Sequence, residues 1–151
     1  MARILIVPCG CRGRALAAEL VQAGHAVRGT TRDSARAGSI RAAGAEPYVG
    51  DPDRIGTLMD ALAGVTVVCW LMGTLPVPEL HAGRLRMLWE KLVDTPVRGV
   101  LYEGALPEGE PVARTASETW RIPLEVLSAD PRDHEAWLGH ARAGVDRLLG
   151  L

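Results

Sequence analysis

Apolar residues fall along this chain in two patterns. Short runs rich in Val, Ile and Leu alternate with longer stretches whose apolar positions recur every three or four residues. The runs predict strands at Ile4–Val7, His25–Arg32, Glu46–Gly50, Val65–Met72, Val97–Glu103 and Ile122–Ser128. Val65–Met72 is the longest, and its β-branched content predicts a central strand buried on both faces. Pro47 places the third strand near an edge.

Between the strands, helical spacing takes over. A first helix from about Gly13 to Ala23 buries Leu16, Leu20 and Val21 and stops at Gly24. Asp33 and Ser34 start a short helix that Gly44 ends. Asp51-Pro52-Asp53 starts another, with Ile55, Leu58, Met59 and Leu62 on one face and Gly64 as its stop. Gly73–Pro78 is an irregular loop, and a longer helix follows with Leu80, Leu85, Leu88, Trp89 and Leu92 inward. Val112–Trp120 and Asp133–Leu149 complete the set, the last with Trp137, Leu138, Ala141, Val145 and Leu148 inward.

This rhythm predicts a doubly wound α/β fold: three α/β/α layers on a parallel sheet of about six strands. Right-handed crossovers give the Rossmann order 3-2-1-4-5-6. The 151 residues suit one domain spanning 1–151. The net charge of −1 offers no electrostatic case for nucleic acid or a membrane surface. No run approaches the roughly 20 apolar residues of a membrane span. A cytoplasmic protein is therefore expected, in keeping with three cysteines in a compartment that keeps thiols reduced. Cys9 and Cys11 lack metal or redox spacing, so no metal is expected. Cys69 reads as buried filler.

The chemistry begins where the first strand enters the first helix. Read as G-x-G-x-x-G, the turn carries Pro8, Gly10 and Gly13. The second glycine lets backbone approach phosphate, and the third lets helix and strand pack closely. Pro8 replaces the first, fixes φ and removes an N–H, but the helix N-terminus can still offer amides to a pyrophosphate. After the second strand, where an acidic residue would hold an unphosphorylated ribose, stands Thr30-Thr31-Arg32. Arg32 matches a 2′-phosphate, and Arg12 could approach the same group, so NADP(H) is expected over NAD(H). Asp33 is a nearby competitor for the ribose. Asp51 could accept from the adenine amino group or cap a helix. Met72 and Gly73 end the fourth strand at the switch-point crevice, where a cofactor could approach the backbone.

The segments Gly10–Leu16, Ala23–Arg32, Gly44–Glu46 and Val49–Asp51 resemble those of the atypical and extended short-chain dehydrogenases, the NmrA-like and nucleotide-sugar epimerase-like members above all. The similarity runs over roughly Arg3–Met72. It implies NAD(P) binding by Gly10, Arg12, Gly13, Arg32 and Asp51, with Cys11, Thr31, Met72 and Gly73 adjoining. The active members' Tyr-x-x-x-Lys pair is absent. Tyr102 is followed four residues on by Leu106, Tyr48 by Pro52, and Lys91 is preceded four residues earlier by Met87. The extended members also carry a C-terminal substrate domain, which is not expected here.

Other groups at strand ends are Thr74, Tyr102, Glu103 and Asp130. Glu103 is the leading acid/base candidate if strand alternation aims it inward, and Tyr102 is the second. A solvated loop carboxylate is the expected role of Glu103, since only one such carboxylate can be positioned for proton transfer. His81 and His134 read as surface or capping residues, and His140 as solvated. Ser117 and Ser128 show no His/Asp partners for a hydrolase triad. The four tryptophans read as core or interface anchors, with Trp137 and Leu138 as a homodimer seam that would complete a substrate pocket. The expected function is NADP(H) binding by a minimal Rossmann protein acting as an oxidoreductase on a small substrate. The alternatives are a non-enzymatic NAD(P)-sensing module and a degenerate domain that no longer binds dinucleotide.

Overall fold

The computed structural model describes residues 2–151. Six parallel strands form one sheet in the order β3-β2-β1-β4-β5-β6, as the alternation predicts. They are β1 (Arg3–Val7), β2 (Ala26–Thr31), β3 (Glu46–Val49), β4 (Val67–Leu71), β5 (Gly99–Glu103) and β6 (Leu124–Val126). Five α-helices connect them: α1 (Cys11–Gln22), α2 (Ala37–Ala42), α3 (Gly83–Leu92), α4 (Gly109–Trp120) and α5 (His134–Leu149). β3 lies at the sheet edge, where the missing N–H of Pro47 costs no ladder bond on its free side. β4 lies between β1 and β5 and is buried along its whole length.

Strand alternation sends successive residues to opposite layers. Leu5, Val7, Val68, Trp70, Val100 and Tyr102 face α3 and α4, meeting Leu85, Leu88, Trp89, Leu92, Ala113 and Ala116. Ile4, Ile6, Val67, Cys69, Leu71 and Leu101 face the other way, meeting Leu16, Ala17 and Leu20 of α1 and Trp137, Ala141 and Val145 of α5. With no phenylalanine in the chain, Trp70, Trp89 and Trp137 supply the largest fully buried side chains. Burial of each such ring contributes about 2–3 kcal/mol of transfer free energy.

The helix stops fall where glycine allows them. Gly24 and Gly44 take φ of +94° and +92°, the left-handed conformation that ends a helix without a Cβ penalty. Asp33 and Asp133 act as N-caps, accepting from Ala35 N at 2.9 Å and Ala136 N at 3.2 Å.

Several elements differ from the sequence reading. The helix expected from Asp51 is two 3-10 turns, Ile55–Leu58 and Asp60–Leu62. Thr57 accounts for part of this, because its hydroxyl accepts from Asp51 N at 2.8 Å and donates to the Arg54 carbonyl at 2.7 Å. Ile55, Leu58 and Leu62 are nonetheless buried, as the pattern required. The helix after the Gly73–Pro78 loop is a 3-10 turn at Pro78–His81, followed by α3 after a break at Ala82. Trp137 is fully buried within the protomer, against α1 and the sheet, so it is an interior anchor and not a surface seam. Trp120, on α4, is the tryptophan left exposed.

Cys9 and Cys69 are buried and Cys11 is exposed. Burial pushes the Cys9 thiol up to about 11 and the Cys69 thiol up to about 12, so both stay protonated and inert near neutrality. A thiol-specific chromogenic reagent added to the native protein at pH 8 is expected to label Cys11 promptly. Cys9 and Cys69 should react only after denaturant is added. Prompt labelling of a second thiol would contradict the packing around β1 and β4.

Candidate functional site

The site forms where β1 runs into α1 and faces the carboxyl end of β4. Gly10 is the N-cap of α1, and its carbonyl accepts the first intrahelical bond, from Arg14 N at 2.8 Å. The amides of Cys11, Arg12 and Gly13 therefore have no partner inside the helix. A Cβ built on Gly10 would meet nothing within 4 Å, so the backbone there is open to a ligand. A Cβ on Gly13 would lie 3.0 Å from Ile6 Cγ2 and 3.1 Å from the Pro8 carbonyl, which is the close helix–strand packing expected of the third glycine. A second close approach pins the turn from behind. Cys9 N donates to the Thr30 carbonyl at 2.8 Å, and a Cβ on Gly29 would sit 2.6 Å from Cys9 Sγ.

Glu103 corrects the sequence reading. It is the last residue of β5, shares the face of Leu101, and is 2% exposed; it is not a solvated loop carboxylate. Three donors converge on it. Arg12 Nη1 spans both oxygens, at 2.7 Å to Oε1 and 2.6 Å to Oε2. Trp137 Nε1 donates to Oε2 at 2.6 Å, and Gly73 N donates to Oε1 at 3.1 Å. The Arg12 guanidinium also lies 4.7 Å from the Trp137 ring centroid, a cation–π contact. Burying a carboxylate is costly unless it is paired and hydrogen-bonded, and this set meets both conditions. Gly73 is required by the same packing, since a Cβ there would overlap the Glu103 carboxylate.

Tyr102, one residue earlier, points to the opposite layer. Its hydroxyl lies 2.6 Å from His81 Nδ1, and His81 Nε2 lies 2.8 Å from the Leu75 carbonyl. A carbonyl can only accept, so Nε2 carries a proton towards Leu75, and in that neutral tautomer Tyr102 donates to Nδ1. His81 is 1% exposed, which corrects its reading as a surface or capping residue. The pair ties the Gly73–Pro78 loop to β5. Burial, with a smaller contribution from Glu110, pushes the Tyr102 phenol up to about 12.

The remaining candidates separate into exposed and committed groups. Arg32 is exposed and takes no part in the ion pairs among the described residues. Arg28, by contrast, donates to the Ala61 carbonyl at 2.6 Å and clamps the 3-10 turns to β2. Thr31 Oγ1 accepts from Asp33 N and donates to the Asp33 carbonyl, shaping the turn after β2. Asp51 Oδ1 accepts from Asp53 N at 2.9 Å in a local turn, and it does not cap the 3-10 turn that follows, whose N-cap is Arg54. Met72 is fully buried beside Gly73. Thr74 and Asp130 are exposed. Among the described residues, no group of three or more His, Cys, Asp or Glu could hold a metal, and no helix is long and apolar enough to cross a membrane. Two cavities are lined by none of Gly10, Arg12, Gly13, Gly73 or Glu103. One of about 400 Å³ sits between α3 and α4, and one of about 250 Å³ lies against β6 and α5.

A 3-2-1-4-5-6 sheet whose first turn opens a helix over Gly10 and Gly13 defines a Rossmann-type nucleotide-binding protein. Residues 10–138 match the model of the family described as NAD(P)H-binding, and the chain belongs to that family. Triphenylmethane reductase from Citrobacter superposes with a TM-score of 0.68 at 19% identity, covering 84% of this chain and 48% of that one. A second structure of that enzyme contains NADP(H). The NADPH-dependent quinone oxidoreductase of Escherichia coli, in complex with NADPH, gives 0.66 at 18% identity, covering 83% and 47%. Vestitone reductase from alfalfa gives 0.67 at 12%, covering 83% and 56%. At these identities the likeness shows the fold, and the chain spans about half the length of these structures. No curated relative matches the sequence. The resemblance read from the glycine turn and the second strand is borne out by the family match and the reductase fold.

Two predictions follow from this geometry. Gly73→Ala is expected to destabilise the fold by about 1–3 kcal/mol in urea denaturation, because the added methyl displaces a buried, fully bonded carboxylate. An unchanged midpoint would contradict the contact. The second concerns alkali. Tyr102, Cys9 and Cys69 hold their protons more tightly when folded, so between ordinary values of 9.0 to 10.0 and folded values of about 11 to 12 the unfolded chain binds fewer protons. Stability conferred by their protonated forms is intact below about pH 9 and declines as pH rises toward 12. Urea midpoints measured from pH 8 to 11 should fall from about pH 9 upward. A flat profile would contradict the burial.

Proposed function

We propose that this chain binds NADP(H) across the carboxyl ends of β1 and β4 and serves an oxidoreductase reaction on a small substrate. The observation that carries this reading is the turn at Gly10. The backbone there is open, the Cys11, Arg12 and Gly13 amides have no partner among the described residues, and Gly13 seats the helix N-terminus against β1. Such an N-terminus receives a pyrophosphate through directed N–H groups and the helix dipole. Cys11, Arg12 and Gly13 supply those amides.

Arg32 supports the phosphorylated cofactor. It stands exposed after β2, and its planar fork suits a 2′-phosphate. Its acidic neighbour Asp33 is engaged at Ala35 N, and the Thr31 hydroxyl holds the same turn. The second carboxylate oxygen of Asp51 remains available to the adenine amino group. Met72 and Gly73 follow β4 beside the nicotinamide half, with the Met72 side chain buried on the α3–α4 side and the Glu103 carboxylate covering Gly73. The cofactor, when bound, supplies the hydride. Of the two catalytic candidates, Tyr102 is engaged by His81 on the α3–α4 side, and Glu103 is the one on the side of Arg12 and Trp137. The NADP(H) and NADPH held by the reductases of the same fold agree with this cofactor choice.

Calorimetric titration tests the reading. The protein should bind NADPH more tightly than NADH, and Arg32→Ala should weaken NADPH by about 10- to 100-fold while leaving NADH nearly unchanged, the loss expected for a charged hydrogen bond. Binding of neither cofactor would overturn it.

A further inference from the structure

The crevice carries a contact that the proposed function does not use. Arg12 leaves α1 beside β1 and ends on Glu103 of β5, and β4 lies between those two strands. Its side chain therefore crosses the carboxyl end of β4, the switch point where a dinucleotide lies in this fold. The space above Gly73 is filled by the Glu103 carboxylate.

We propose that Glu103 is an internal competitor for the cofactor: it holds Arg12 across the crevice, and a dinucleotide gains entry by drawing Arg12 onto its pyrophosphate. Glu103 is thus a positioning residue that sets cofactor affinity. The inference rests on the NADP(H) reading above.

Four observations support the competition. First, Arg12 meets Glu103 through Nη1 alone, spanning both oxygens with one nitrogen. Nε and Nη2 make no hydrogen bond among the described residues, so the paired fork that grips a phosphate is unspent. Second, Arg12 is the second residue of α1, beside the free amides where the pyrophosphate would sit. Third, Glu103 keeps two donors if Arg12 leaves, Trp137 Nε1 and Gly73 N, so its carboxylate stays hydrogen-bonded and the lost ion pair is what the dinucleotide has to offset. Fourth, the Arg12 side chain is 15% exposed whereas Glu103 is 3% exposed, so the arginine is the arm that can swing toward solvent. A ligand that must first open a closed form binds with an apparent affinity reduced by the open fraction.

NADPH titration of the wild type and of Glu103→Gln reads this directly. Glutamine keeps the size and an acceptor for Trp137 or Gly73 but removes the charge that holds Arg12. Glu103→Gln is expected to bind NADPH about tenfold tighter or more. A second readout uses the wild type alone, in case the variant does not fold. The indole N–H resonance of Trp137, assigned with Trp137→Phe, should move on NADPH saturation as Arg12 leaves its ring. That of Trp70, which donates to the Leu80 carbonyl on the opposite face, should stay. Equal affinities, weaker binding by the variant, or a Trp137 resonance unmoved at saturation would overturn the competition while leaving the cofactor reading intact. Failure of both proteins to bind NADPH would overturn both.

Discussion

A carboxylate at the end of a buried central strand cannot stand alone. Taking an unpaired charge out of water costs several kcal/mol even after relaxation, and Glu103 is almost fully enclosed. Much of the local architecture follows from meeting that cost. Trp137 is drawn in from α5, where its indole N–H needed an acceptor as much as Glu103 needed a donor. Glycine at residue 73 leaves room for the carboxylate, and its N–H donates to it. Arg12 is drawn in from the first turn of α1 and stacks on the indole on the way. Four segments far apart in sequence meet at one pair of oxygens.

The pleat of β5 separates this cluster from a second one. Tyr102 and Glu103 are adjacent, yet each bonds on its own side of the sheet, Tyr102 with His81 and Glu103 with Arg12. The Tyr102–His81 pair fastens the loop after β4 from below, and the Gly73 amide fastens the same loop from above. That loop borders the crevice, so both networks fix its position. Tyr102 is engaged with His81 on one side of the sheet, and the group on the other side at the end of β5 is a glutamate.

The fold was legible because its signals are local. Strand runs, helical periods and helix stops at Gly24 and Gly44 all depend on residues within a turn or two of one another. The Asp51–Leu62 segment shows the limit of such signals. Its apolar spacing identified the buried residues, but the side-chain bonds of Thr57 favoured tighter turns over an α-helix. Glu103 and His81 were misread for a different reason. The arginine that pairs with Glu103 is 91 residues away, the tyrosine that meets His81 is 21 residues away, and nothing in the local sequence announces either. Arg12 was visible as a cation in the phosphate turn, but its inward engagement follows only from the sheet order that sets β5 beyond β4. The α1–β5–α5 cluster could have been suspected from one clue, a charged residue at the end of an otherwise apolar strand in a layer that also receives a tryptophan.

The Arg12–Glu103 ion pair bridges the carboxyl end of β4, where we propose that the dinucleotide lies. A crystal structure of the protein grown with NADPH tests that claim most directly. It should show the pyrophosphate on the amides of Cys11–Gly13, the 2′-phosphate at Arg32, and Arg12 turned from Glu103 to the phosphates. NADPH seated in the crevice with the Arg12–Glu103 pair unbroken, or bound elsewhere on the surface, would contradict it.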